Sequence, residues 1–204
     1  MTHGRRAALA RGTKLVLASG NVGKLGEFAD MFTPLGIDVI PQSAFGVCEA
    51  EEPYDTFVEN ALAKARHAAR ATGLPALADD SGICVDVLHG APGVLSARYA
   101  GEPRSDARNN AKLLDDLASH ADRSAYYYCV LVLMRHALDP QPLIVEGTWF
   151  GEVIDTPCGA GGFGYDPYFW LPSHQLTAAE MPAEEKNRVS HRAQALRSLL
   201  QALD

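Results

Sequence analysis

The stretch "AYYYCVLVLMRHA", Ala125 to Ala137, constrains the fold more than any other part of the chain. Apolar residues follow one another along it, so a strand made from it has no face for water and must lie centrally in its sheet. The segments around it fit such a sheet. "KLVLAS" reads as a buried strand and "IDVI" as a second, while between them Val22, Leu25, Phe28, Ala29 and Phe32 form one apolar helical stripe that Pro34 and Gly36 end. A second helix opens at Thr56, where Thr56 and Glu59 make an S/T-x-x-E capping box, and stops at Gly73. "PALADDSGICVDVL" reads as a strand that breaks at Asp80-Ser81-Gly82 and resumes, and "SDARNNAKLLDDLASH" as a third helix. "LDPQ" turns the long apolar strand into "PLIVEGTWFGEVI", predicting an antiparallel hairpin, and a final amphipathic helix starts near Ser190. Strand-helix units mixed with a hairpin give an α/β domain with a mixed twisted sheet. The chain of 204 residues is long enough for one domain over 13–204, after a loose tail over 1–12.

A net charge of −7 argues against a general nucleic-acid surface, because counterion-driven binding needs a basic face. A polyphosphate ligand would need a metal and a few local cations to overcome that sign. Cys48, Cys84, Cys129 and Cys158 are scattered with no C-x-x-C pair, so they read as buried thiols of a reducing cytosol rather than a zinc or redox site. The apolar run Leu15 to Ala18 is too brief for a signal-peptide core or a membrane span.

Four stretches place polar or glycine residues where a core or surface role is strained. Ser19 to Lys24, with Gly20, Asn21, Val22 and Gly23, forms a strand-to-helix turn. Its glycines are too close for a Walker loop and Leu25 follows the lysine, so any phosphate held there is held by a different geometry of helix N–H groups. Asp79-Asp80-Ser81-Gly82 embeds two carboxylates in an apolar strand, where a metal, a cation or backbone donors must meet them. Strand alternation sends the two to opposite faces, and Glu49, Glu51 and Glu52 of the preceding acidic loop offer a second carboxylate. "GAGGFGYDP" supplies close backbone approach and a stacking ring in Phe163 or Tyr165, with Asp166 held extended before a proline. "EEKNRVSHRAQAL" gathers Lys186, His191 and Arg192 at the mouth of the last helix, a poor place for cations unless an anionic or electron-rich ligand joins them. Taken singly, each stretch also fits a plain turn, a cap or a solvated charge run; together they describe a nucleotide polyphosphate site.

In this order, S-G-N-x-x-K, "TFVENA", "ADDSG", "GAPGVLSARYAG", "GGFGYDP" and "EEKNRVSHR" resemble the inosine triphosphate pyrophosphatase family, whose bacterial members are XTP/dITP diphosphatases. The resemblance runs from about Lys14 to the C-terminus. It implies an elongated mixed sheet flanked by helices, two lobes with a central cleft, and a cytoplasmic homodimer. It further implies a magnesium-dependent enzyme that hydrolyses dITP, ITP and XTP to monophosphate and pyrophosphate. By matching motif, Ser19 to Lys24 and Ser81 contact substrate, and Asp80 holds Mg2+ and accepts a proton. Phe163, Gly164, Tyr165 and Asp166 line the base pocket, completed by Lys186, His191 and Arg192. Glu51 is the better match by spacing for the second metal ligand, with Glu52 the alternative. Ser19 stands where many relatives have threonine, and Asn187 where serine is common.

Three other readings remain at this point. A septum-formation-inhibitor-like pyrophosphatase would act on modified or pyrimidine nucleotides, and "SHR" and "GGFGYDP" argue against it. A nucleotide-sensing module would bind without turnover, which Asp80 and Lys24 argue against. A nucleic-acid-binding protein has the wrong charge balance.

Overall fold

A computed structural model describes residues 12–20 and 22–203. The expected tail therefore lies outside the described residues except for Gly12. The strands among them are β1 (Lys14–Leu17), β2 (Asp38–Pro41), β3 (Ala76–Val85), β4 (Ser124–Met134), β5 (Leu143–Val153), β6 (Phe169–Leu171) and β7 (Leu176–Thr177). They form one sheet in the order β2-β1-β3-β4-β5-β6-β7. β1 pairs in parallel with β2 and β3, whereas β6 pairs antiparallel with β5 and β7, so the sheet is mixed. The doubly apolar strand β4 takes the middle place, and its residues from Cys129 to Met134 are all buried.

The helices are α1 (Val22–Phe32), α2 (Phe57–Thr72), α3 (Asp106–Leu117), α4 (Ala183–Val189) and α5 (His191–Leu203). None among the described residues is long and apolar enough to cross a membrane. The Thr56 hydroxyl caps α2 by accepting from the Glu59 N–H, and the Glu59 carboxylate in turn accepts from that hydroxyl at 2.5 Å. Gly73 ends the helix in the left-handed conformation, as its sequence position requires.

The chain forms two compact units, neither continuous in sequence. The first takes the described residues up to Asp80, Val130–Val145 and those from Ala195 onward; its fully buried side chains include Leu15, Leu17, Phe28, Phe32, Leu77, Leu131 and Leu133. The second takes Ser81–Cys129 and Glu146–Gln194, and its core gathers Ile83, Leu113, Leu117, Tyr127, Trp149, Phe169 and Leu171.

Three expectations need correction. β3 runs unbroken through Asp80-Ser81-Gly82, because both aspartates find ammonium partners and Gly82 needs no turn. A side chain at Gly82 would collide with the Gly93 carbonyl and the Ser96 hydroxyl, which explains the glycine by close packing. A separate short helix, α4, precedes the last one, and extended Ser190 divides them. "AEEKNRV" is too short and too polar to show a helical stripe. Of the cysteines, Cys84 and Cys129 are buried as expected, but Cys48 is exposed and Cys158 only partly buried. Burial pushes the Cys84 thiol up to about 11, which makes it a poor nucleophile.

The turn between β4 and β5 rests on Asp139. Its buried carboxylate accepts from the Arg135 guanidinium at 2.5 and 2.8 Å, from the Arg135 N–H at 3.0 Å and from the Gln141 N–H at 3.0 Å. These bonds, the Arg135 side chain foremost, hold its pKa well below the usual carboxylate range. A lowered folded value means stabilisation that is complete above the ordinary pKa of about 3.9 and lost as pH falls through the folded one. Asp139→Asn is thus expected to cost about 2 kcal/mol in urea unfolding at neutral pH. The gap between variant and wild type should shrink on acidification below about pH 4; a gap independent of pH would contradict this.

Candidate active site

In the first unit, the connection from β1 to α1 carries Ser19 and Gly20, and α1 has no acidic residue in its first turn. The positive end of the helix is left to whatever anion approaches it. The Glu49 carboxylate packs against Gly20, and a Cβ there would displace it. Asn21 lies outside the described residues, as does the side chain of Val22. Lys24 projects from α1 to form an ion pair with Asp79, whose side chain is completely buried.

Asp80, the next residue, meets a different lysine. Lys64 Nζ of α2 donates to Asp80 Oδ1 at 2.7 Å and to Glu52 Oε1 at 2.9 Å. Alternation along β3 thereby gives each aspartate its own ammonium. Asp80 Oδ2 is buried and has no hydrogen-bond partner among the described residues. Burial pushes the Asp80 carboxyl above its ordinary value, with Lys64 and Lys24 pulling the other way. Burial would lower Lys64, but the charges of Asp80, Glu52 and Asp79 outweigh it and raise its pKa. An orphaned acceptor beside a second carboxylate is the donor set that a hard divalent cation takes, so magnesium fits the chemistry present. Among the described residues no group of three or more His, Cys, Asp or Glu converges; a cation here would complete its shell with water and phosphate oxygens.

Lys64 escapes sequence reasoning, as does the way α2 grips the acidic loop. The Asn60 side chain accepts from the Tyr54 N–H at 3.2 Å and donates to the Tyr54 carbonyl at 3.0 Å. A His67 ring nitrogen lies 3.1 Å from the Cys48 carbonyl. Asn60, Lys64 and His67 stand at i, i+4 and i+7, one face of a helix. A polar stripe at helical spacing was the available signal. Glu52 is half-buried on Lys64 whereas Glu51 is exposed.

In the second unit, Asp166 is the centre of a buried network. Its Oδ2 accepts from Lys186 Nζ at 2.6 Å and from the Phe163 N–H at 2.9 Å, and its Oδ1 from the Tyr127 hydroxyl at 3.2 Å. Lys186 Nζ also sits 5.2 Å from the centre of the Phe163 ring, which stays exposed to 39%. From α3, Asp106 accepts the Gly164 N–H at 2.9 Å while Asn110 donates to the Gly164 carbonyl at 3.0 Å, so the loop is clasped on both sides. Tyr165 turns inward, its hydroxyl donating to the Ser96 carbonyl at 2.8 Å. Phe163, not Tyr165, is the ring left for stacking. His191 and Arg192 open α5 and are both buried. The His191 ring stacks on Tyr127 at 4.8 Å, and Arg192 Nη2 donates to the Ser81 hydroxyl at 3.2 Å.

The described site residues thus fall into two constellations. Lys24, Glu52, Lys64, Asp79 and Asp80 form one of alternating charge. Ser81 and Arg192 join by a hydrogen bond, and Phe163, Asp166, Lys186, Tyr127 and His191 are linked by hydrogen bonds and ring contacts. The first suits phosphate and a cation; the second suits a flat heterocycle with acceptor groups at its edge.

The chain is similar to known proteins over nearly its whole length. The dITP/XTP pyrophosphatase of Nitrosomonas europaea is 65% identical over 190 residues, covering 93% of this chain and 94% of that protein. The dITP/XTP pyrophosphatase of Ralstonia nicotianae is 66% identical over 193 residues, covering 93% and 96%. The solved HAM1 protein of Coxiella burnetii superposes with a TM-score of 0.88 at 52% identity, over 94% of this chain and 98% of that one. Residues 15–202 match the Ham1 family, and with relatives this similar over nearly its whole length the chain belongs to that family.

Proposed function

We propose that this protein hydrolyses the non-standard purine nucleoside triphosphates dITP, ITP and XTP to the monophosphate and pyrophosphate, with magnesium as cofactor. The observation that carries the reading is Asp80: a buried carboxylate with one oxygen on Lys64 and the other without a partner among the described residues. Bound magnesium would neutralise charge on the phosphate oxygens and make water more acidic. Asp80 would take the proton from that water. The oxygen of water joins phosphorus as the anhydride bond between the α and β phosphates breaks, and pyrophosphate leaves. Lys24 and the amides of residues 19–24 hold the phosphates, Phe163 stacks on the base, and Lys186, His191 and Arg192 offer donors to it. Incubating dITP with the enzyme and following phosphorus resonances tests the reaction. Pyrophosphate and dIMP should appear with magnesium and not with a chelator; orthophosphate and dIDP as products would refute it.

Asp80 would share the cation with a glutamate of the acidic loop. Spacing favours Glu51, while the bond through Lys64 favours Glu52. Glu51→Gln and Glu52→Gln separate them: the ligand's variant should need at least about tenfold more magnesium for half-maximal rate. An unchanged requirement in both would remove the loop from the metal site. By the family resemblance we also place the protein in the cytoplasm as a homodimer, a reading supported by its free thiols and by the outward Phe150, 73% exposed beside Tyr126.

A further inference from the structure

Lys64 is an unusual neighbour for a cation site. Its ammonium is almost wholly removed from water and is committed to the carboxylates of Asp80 and Glu52. It belongs to the first unit together with Asp79, Asp80, Glu52 and Lys24. Three carboxylates there face two ammonium groups, which leaves the cluster a single negative charge. Without Lys64 the excess would be two, and Asp80 and Glu52 would repel each other across a poorly screened interior. The lysine therefore does what a metal would do for these carboxylates, and it does so permanently. An ammonium also repels a divalent cation that approaches the other oxygen of Asp80, and inside the protein that repulsion is weakly screened.

We propose that Lys64 is a resident counter-cation that positions Asp80 and Glu52 before any metal arrives and keeps metal affinity low until a triphosphate supplies the missing negative charge. Metal and nucleotide then bind together, each strengthening the other. This rests on the magnesium reading above. Lys64 acts through the two carboxylates, so it is a positioning residue.

The test is Mn2+ binding to the full-length protein, read by the loss of the free-ion electron paramagnetic resonance signal. The measurements are made with and without a non-hydrolysable dITP analogue. Wild type should bind Mn2+ weakly alone and at least tenfold more tightly with the analogue. Lys64→Met should bind Mn2+ alone at least tenfold more tightly than wild type, whereas Lys64→Arg, which keeps the charge, should stay near wild type. If Lys64→Met binds no more tightly than wild type, or Lys64→Arg as tightly as Lys64→Met, the inference falls. If Lys64→Met does not fold in buffer alone, its circular dichroism on refolding asks the same question. Recovery with Mg2+ but not with K+ agrees with the proposal, and recovery with neither overturns it. Failure of the wild type to bind Mn2+ even with the analogue would instead remove the magnesium reading, and the inference with it.

Discussion

Asp80→Asn is expected to lower dITP turnover by on the order of 10³-fold or more while leaving the fold intact, because an amide binds magnesium poorly and cannot take a proton. The fold should tolerate the change. Lys64 keeps its bond to Glu52, and a neutral amide costs less to bury than a carboxylate. Asp79→Asn should behave in the opposite way. Asp79 is fully buried and its charge answers Lys24, so losing it is expected to cost about 3 kcal/mol of stability. Turnover at saturating dITP should fall far less than in Asp80→Asn, with a raised KM as Lys24 loses its fixed place. Steady-state kinetics and urea unfolding on both variants decide the matter. Equal kinetic losses would contradict the separate roles that strand alternation gives these neighbours.

The second large effect is expected in base selection. Hypoxanthine and xanthine carry an acceptor at O6 where adenine carries an amino donor, so protein donors near that edge accept the first two and meet adenine donor to donor. Guanine also has O6, and its rejection needs a backbone N–H or a tight wall at C2, where it bears an amino group. Lys186 is the donor whose position is fixed most tightly, by Asp166 at 2.6 Å. Asp166→Asn removes the counter-charge of a buried ammonium and loosens the loop that presents Phe163. A site built around hydrogen bonds discriminates by roughly 10⁴, against about 10² for shape alone, so the dITP to dATP ratio of kcat/KM should fall by about 10²-fold in this variant. If both substrates lost activity equally and the ratio held, Asp166 would be supporting the fold alone.

Much of this was legible in the sequence, because the residues concerned announce themselves locally. β4 shows its central place by having no polar face, Thr56 and Gly73 mark both ends of α2, and the glycines around Phe163 mark a loop. What escaped depends on partners distant in the chain. A break at Asp80-Ser81-Gly82 is what the sequence suggests because an aspartate pair in an apolar run has no local explanation; the lysines that explain Asp79 and Asp80 lie 55 and 16 residues away. Nothing in the sequence singles out Lys64, and only the packing of α2 shows it buried. Tyr127 was absorbed into an apolar strand, although its hydroxyl serves Asp166 and its ring serves His191. Asn110 is one of several polar residues of α3, and its role lies in its bond to the Gly164 carbonyl, 54 residues away.

The central claim is that this chain cleaves non-standard purine triphosphates and spares the standard ones. The direct measurement is the initial rate of pyrophosphate release from dITP, ITP, XTP, dATP, ATP, dGTP and GTP, each with magnesium and each with a chelator. The account predicts fast release from the first three with magnesium, slow release from GTP and dGTP, slower still from ATP and dATP, and none with the chelator. Comparable rates across the panel, or a rate on dITP that survives the chelator, would contradict it.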